Sequence, residues 1–309
     1  MSIERTNVLR ELIKSKTFLH LPSVYDPIGA RLVQQSGFEA TYVGGYVSGA
    51  SKAITEPLLT LTEQVEIASQ VALSVTIPVL ADAGAGFGEP LHTSRTVREF
   101  IAGGLAGIHI EDQLFPKRAH YHKNMVHAIK STEFIDKIKF ASKTRDELDP
   151  NFLIIARTDT CRELGLEEAI SRINLAAEVG ADMGLLFPRT NEEAVEAVHQ
   201  SKIPLVYVQS RGNRDNRPLF SRNELEDMGY AMCIDAQVML LASFDAQRRM
   251  LSELRETGDF SLLSQKSNIQ IRQEIEDIIN LEEYYNIEKS TVEKTVSYTH
   301  LRAHETPCH

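Results

Sequence analysis

Eight short apolar runs recur along the chain, at residues 18–21, 38–43, 77–81, 105–110, 152–156, 181–187, 203–208 and 230–234. Each hands over to a polar end and then to a segment of helical periodicity, for example 166–179 and 191–198. The runs are largely continuous rather than alternating, which suits strands buried on both faces of a parallel sheet. Four of them follow a helical pattern that stops at glycine: Gly37, Gly104, Gly180 and Gly229. Glycine accepts the positive φ just past a helix end without strain. Pro78 and Pro204 punctuate two other runs in a similar way.

Eight strand–helix units in one chain of 309 residues predict an α/β fold, a (β/α)8 TIM barrel over residues 1–257. A doubly wound sheet is the alternative. Its Gly-rich signature fails here, because the glycines of Gly84-Ala85-Gly86-Phe87-Gly88 are wrongly spaced and follow the third run instead of opening the fold. That segment reads as a loop that lets backbone approach a ligand closely. Beyond the eighth unit, residues 235–255 read as a helix. A stripe of Ile269, Ile271, Ile275, Ile278, Ile279, Leu281, Tyr284 and Tyr285 then predicts a C-terminal helical extension over 258–296, packed on the barrel or on a neighbouring subunit. Residues 297–309 break the pattern and read as a disordered, non-native tail. Its His300, His304, Cys308 and His309 match no common zinc spacing.

Composition narrows the function. A net charge of −10 without a basic patch argues against nucleic acid as a partner. No apolar run is long enough to span a bilayer, and the first residues lack a signal-peptide core, so no membrane partner and a cytoplasmic location are expected. The three cysteines, Cys161, Cys233 and Cys308, have no metal-type spacing. Cys161 and Cys233 read as buried and inert.

In a (β/α)8 barrel the active site lies at the C-terminal ends of the strands. The polar groups at those ends are Gly44-Gly45-Tyr46, Asp82, Glu111-Asp112, Arg157-Thr158-Asp159, Arg189, Gln209-Ser210-Arg211 and Asp235, and they should converge on one mouth. Taken alone, Asp82 caps a turn and Glu111-Asp112 is a solvated loop. Acids recurring at strand tips, with an arginine among them, fit a hard divalent cation and an anionic ligand better. Arg189, Gln209 and Arg211 are candidates for reading the far end of a substrate. His109 reads as a core histidine.

Four motifs in order carry a resemblance: Gly44-Gly45-Tyr46, the run from Asp82 to Gly88, Ile110-Glu111-Asp112-Gln113 with Phe115-Pro116-Lys117-Arg118, and Ala156-Arg157-Thr158-Asp159. Together the chain resembles the isocitrate lyase/phosphoenolpyruvate mutase superfamily over residues 5–290. The resemblance implies a Mg²⁺-dependent enzyme, with Mn²⁺ as a substitute, acting on a small anionic 2-oxo or 2-hydroxy carboxylate through an enolate. It assigns Asp82 as a direct metal acid, with Glu111 and Glu56 reaching the metal through water. Arg157 grips the substrate, and Tyr42, Gly44, Gly45, Tyr46, Asp82, Gln209 and Ser210 bind it. Lys117 belongs to the catalytic loop.

Departures from the family pattern set the branch. Glu56 stands where relatives commonly have Asp, and Gly84 where many have a second Asp. Ala119 takes the place of the lyase acid/base cysteine, which leaves His120 and His122 as the candidate replacements in a lid over residues 115–125. Gln113 and Thr158-Asp159 resemble the lyase and decarboxylase side. The expected function is a malate-type C–C lyase or an oxaloacetate-type decarboxylase. Phosphoenolpyruvate mutase or phosphonopyruvate hydrolase-like P–C chemistry and a non-catalytic metabolite-binding barrel are the alternatives. A homotetramer with exchanged C-terminal helices is expected, because relatives swap such a helix.

Overall fold

The computed structural model describes residues 2–15, 18–119, 125–259 and 264–293. Eight parallel strands close into a barrel in sequence order: β1 (Leu19–Val24), β2 (Thr41–Val43), β3 (Val79–Asp82), β4 (Gly107–Glu111), β5 (Leu153–Arg157), β6 (Met183–Leu185), β7 (Leu205–Gln209) and β8 (Met232–Asp235). All eight expected runs supply a strand. The barrel closes where Leu19 of β1 pairs with Met232 of β8.

Alternation along each strand separates two apolar layers. Leu19, Leu21, Tyr42, Leu80, Leu153, Ile155, Met183, Leu185, Val206, Met232 and Ile234 form one cluster, which fills the barrel. Val43, Val79, Ala81, Ile108, Ile110, Ile154, Leu205, Tyr207 and Cys233 belong to the other, with helix residues such as Val71, Phe100, Phe134 and Ile173. Both strand faces are therefore buried, which is why the runs read as continuously apolar. Side-chain parity then decides which terminal residues enter the mouth. Asp82 follows Leu80, Glu111 follows His109 and Arg157 follows Ile155, so all three acquire the inner face.

The first helix, Ser2–Lys14, spans the opposite end of the barrel. Its Leu9 joins the inner cluster. Arg5 Nη2 donates to Val75 O at 2.8 Å, and Arg10 donates to Asn151 O at 2.9 Å and Phe152 O at 3.0 Å. Arg10 Nη1 also meets Asp182 Oδ1 at 2.7 Å, while Asp182 Oδ2 accepts from Arg145 Nη1 at 2.6 Å and Ile154 N at 2.8 Å. One carboxylate thus ties the first helix, the helix Ser131–Leu148 and β5 together.

The chain divides into compact units at residues 1–245 and 246–309. The break falls inside the helix Val238–Thr257, ahead of the boundary expected at 257. The described part of the second unit continues with helices Gln265–Ile278 and Leu281–Ser290, joined through Asn280 in the left-handed region. The tail at 297–309 lies outside the described residues. Among the described residues no helix is long and apolar enough to cross a membrane.

Asp182→Ala leaves two guanidinium groups without their shared carboxylate. We expect a loss of about 3 kcal/mol from chemical denaturation. Because Asp182 sits at the end away from the mouth, turnover per folded molecule should stay at the wild-type level.

Candidate active site

The register of the strands brings the charges together. Asp82 of β3 pairs with His109 of β4, and Glu111 of β4 pairs with Arg157 of β5. Arg157 then reaches in several directions. Its Nε and Nη2 donate to Asp159 at 2.9 and 3.0 Å, and its Nη1 lies 3.1 Å from Glu111 Oε2 and 3.8 Å from Asp82 Oδ2. Its guanidinium stands over the Phe187 ring, 5.0 Å from the centroid. Lys117 arrives from the loop after β4 and pairs with both Glu56 and Glu111, its Nζ 3.0 Å from Glu111 Oε1.

Glycines let the backbone close on these groups. Asp82 Oδ1 accepts from Gly84 N at 2.8 Å and Oδ2 from Gly45 N at 3.2 Å. Gly84 has φ +50 and Gly86 φ +75, a turn that suits glycine. At Gly45 the constraint is space: a Cβ would lie 2.8 Å from Glu56 Cγ and 3.0 Å from Asp82 Oδ2.

Burial pushes the Asp82 carboxyl up, but the charges of His109, Arg157 and Lys117 outweigh it and hold it below the usual range. Glu111, wholly enclosed, is raised by burial against the pull of Arg157 and Lys117. His109 is lowered to about 4 by burial and is therefore neutral near pH 7. Its Nε2 shares a 2.5 Å hydrogen bond with the Tyr42 hydroxyl, and its Nδ1 lies 3.7 Å from Asp82 Oδ1.

A cavity of about 530 Å³ opens over this cluster. Tyr42, Gly44, Gly45, Tyr46, Glu56, Asp82, Arg157 and Ser210, all named from the sequence, line it. Lys117 faces an adjoining cleft with Gly45, Glu56, Asp82 and Phe115. Glu111 stands behind, fully buried. His120 and His122 lie outside the described residues, and so does much of the expected lid.

Not every strand-end group turns inward. Gln209 shares the outward parity of Tyr207, and its amide both donates to Phe220 O and accepts from Phe220 N at 3.3 Å. It is a strut for the loop after β7 and lines none of this cavity. Asp112 likewise faces away, accepting from Thr158 Oγ1 at 2.6 Å and Arg172 Nη1 at 3.1 Å. Arg211 pairs with Asp235 at 2.9 Å. Among the lining residues that escaped the sequence reading are His109, Phe187 and Arg217. For His109 a signal existed, because it sits two positions before Glu111 on one strand and shares its face. Cys161 and Cys233 are buried thiols pushed up to about 12 by burial, and neither lines the cavity.

Four carboxylates (Glu56, Asp82, Glu111 and Asp159) share two fixed cations, Lys117 and Arg157. Even with Glu111 shifted towards its neutral form by burial, acids outnumber cations here, and a buried excess of negative charge suits a divalent cation. Among the described residues no three acid, histidine or cysteine side chains close up as a cage. Magnesium does not require one, since it typically keeps several waters and binds one or two carboxylates. The all-oxygen donor set therefore fits the metal.

A closed barrel whose mouth gathers buried acids, an arginine fork and backbone N–H groups defines an enzyme for small anionic molecules. Residues 9–255 match the family model described as phosphoenolpyruvate phosphomutase. The chain belongs to that family, within the phosphoenolpyruvate mutase/isocitrate lyase superfamily. It is 31% identical over 283 residues to 2,3-dimethylmalate lyase of Eubacterium barkeri, covering 91% of this chain and 96% of the relative. The structure of oxaloacetate acetylhydrolase in complex with 3,3-difluorooxalacetate superposes with a TM-score of 0.85 at 28% identity, covering 93% of this chain and 97% of the other. Phosphonopyruvate hydrolase in complex with oxalate and Mg²⁺ gives 0.80 at 25% identity, covering 93% and 99%.

Gly45→Ala should displace Glu56 or Asp82 by several tenths of an ångström. A lowering of kcat/KM by about 100-fold is expected, with circular dichroism unchanged. Wild-type kinetics in this variant would mean that Gly45 does not hold the two acids in register.

Proposed function

We propose that this enzyme cleaves a C–C bond in a small 2-hydroxy or 2-oxo dicarboxylate, as a malate-type lyase or an oxaloacetate-type decarboxylase, through an enolate: that of pyruvate in decarboxylation, or a close relative on the departing carboxylate fragment in the lyase reaction, where pyruvate leaves as the ketone. The observation that carries this reading is the shared cavity of Asp82, Arg157 and the Gly44-Gly45 backbone. Asp82, Glu56 and Glu111 would hold Mg²⁺, or Mn²⁺ in its place. When bound, the metal supplies Lewis-acid stabilisation of negative charge that develops on the substrate oxygen.

The side chains divide the remaining work. Arg157 presents to a carboxylate the guanidinium edge that Asp159 leaves open, a planar geometry a lysine cannot copy. The Gly44-Gly45 backbone binds the carboxylate and the reacting oxygen, the Gly45 N–H turning from Asp82 Oδ2 to the ligand, with Tyr42, Tyr46 and Ser210 around them. Neutral His109 holds the Tyr42 hydroxyl in place beside Asp82. Lys117 brings an ammonium from the loop. Ala119 cannot transfer a proton where lyases use cysteine, so His120 or His122 takes that part in bond cleavage. Decarboxylation asks less of them, because carbon dioxide leaves without a proton donor.

The relatives named as lyases and acetylhydrolase favour C–C chemistry, whereas the hydrolase relative keeps P–C chemistry as the second reading. A panel decides between them: pyruvate released with Mg²⁺ from substituted malates or from oxaloacetate supports the proposal. Phosphate released from phosphonopyruvate, with no turnover of the carbon acids, would overturn it. Asp82→Ala should remove Mg²⁺-dependent turnover, by about 1000-fold or more, while keeping the fold.

We also infer a cytoplasmic homotetramer. Support comes from the second unit, where Ile269, Tyr284, Tyr285 and Ile287 are all more than half exposed. Apolar side chains in that number suit a partner subunit. Light scattering should give about four times the 34.6 kDa chain mass. A monomer at micromolar concentration would contradict the inference.

A further inference from the structure

The helix Leu61–Ser74 buries one stripe, formed by Gln64, Ala68, Val71 and Ala72. Positions three and four apart share a helix face, and an apolar side chain is the ordinary occupant of each. Gln64 breaks that pattern. It is 1% exposed, and neither its Nε2 nor its Oε1 has a hydrogen-bond partner among the described residues. A buried carboxamide with both ends unsatisfied is destabilising, and such a group points to an ordered water or an ion beside it.

Gln64 lines the cleft of about 380 Å³ that adjoins the cavity, together with Glu56, Asp82, Gly84, Phe87 and Lys117. It therefore shares a space with two of the acids read as metal-holding. The loop after β3 forms part of the wall, and three successive carbonyls hold it in place. Gly84 O accepts from Glu111 N at 2.9 Å, Ala85 O from the buried Lys137 Nζ at 3.0 Å, and Gly86 O from Thr96 Oγ1 at 3.0 Å. Donors from three other elements thus keep this wall from swinging over to meet the carboxamide. Asp82 is likewise engaged, by Gly84 N and Gly45 N. Gly84 adds no side chain, and a Cβ there would meet nothing within 4 Å. A cleft of this size has room for several waters, at about 30 Å³ each.

We propose that Gln64 is a positioning residue of the metal site, whose carboxamide holds a water of the divalent cation's shell in the cleft where Gly84 brings no side chain. The inference rests on the reading that Asp82, Glu56 and Glu111 hold Mg²⁺. The chemistry matches, because Mg²⁺ sheds water reluctantly and keeps several waters in such sites. Gln64 Oε1 accepts from one of these waters, and Nε2 donates to a further water of the cleft. Partners of this kind tune affinity without touching the metal. A carboxamide does so without charge, so it orients the shell and leaves the balance of acids and cations unchanged.

Calorimetric titration of the metal-stripped enzyme with MgCl₂, beside thermal denaturation of the metal-free protein, tests this. In Gln64→Leu the Mg²⁺ affinity should fall by about tenfold. The metal-free variant should melt no lower than the wild type, because the orphaned amide is gone. In Gln64→Glu, which keeps an acceptor and adds a negative charge, Mg²⁺ affinity should rise by about tenfold. Gln64→Met gives the same reading as Gln64→Leu if the latter does not fold. Affinities within about twofold of the wild type in both variants, or a fall in both, would show a side chain that serves packing alone and overturn the inference. Failure of the metal reading looks different: the wild type itself would bind no Mg²⁺ at millimolar concentration, which overturns that reading and this inference together.

Discussion

The guanidinium of Arg157 is the charge around which the barrel mouth is arranged. Acids from adjacent strands converge on a place that water barely reaches, and Arg157 stands within ion-pair distance of Glu111, Asp159 and Asp82. Without it these carboxylates would confront one another in low dielectric, where unpaired charge is strongly destabilising. The same fork faces the cavity, so one side chain both holds the acids apart and presents positive charge to an anion. Such prepositioned charge needs little rearrangement when a substrate arrives.

Glu56 and Gly45 form a matched pair within that arrangement. The resemblance to relatives sets Glu56 where aspartate is common, one methylene longer. The bare Cα of Gly45 leaves room for that methylene, since any Cβ there would collide with Glu56 Cγ. Lys117 then meets the Glu56 carboxylate from the loop after β4. The acid set is thus reached by a different reach and the same charge.

The barrel was legible because its physical cause is local: apolar runs buried on both faces, punctuated by Gly or Pro at the turns. The inward groups Asp82, Glu111 and Arg157 were legible for the same reason, each ending a run. Gln209 shows the limit of reading strand ends without parity, because it follows outward-facing Tyr207 and serves the Phe220 loop. His109 shows the reverse, a polar residue inside a run that shares the inner face with Glu111. The pairing of Lys117 with Glu56, and the stacking of Arg157 and Arg217 about Phe187, bring together residues distant in sequence. No local pattern announces such contacts.

The closing pair of the barrel has a consequence for how this protein comes into being. Strand β1 meets β2 through Ser23 and Val24, and it finds its second neighbour only when Leu19 through Pro22 pair with Met232 through Asp235. During synthesis the first strand must therefore wait, with one edge unpaired, until nearly all of the barrel has left the ribosome. Contacts this remote in sequence form slowly, and an open parallel edge is a template for pairing with another chain. The interval before closure is when a nascent chain of this kind is most exposed to aggregation and most in need of a chaperone.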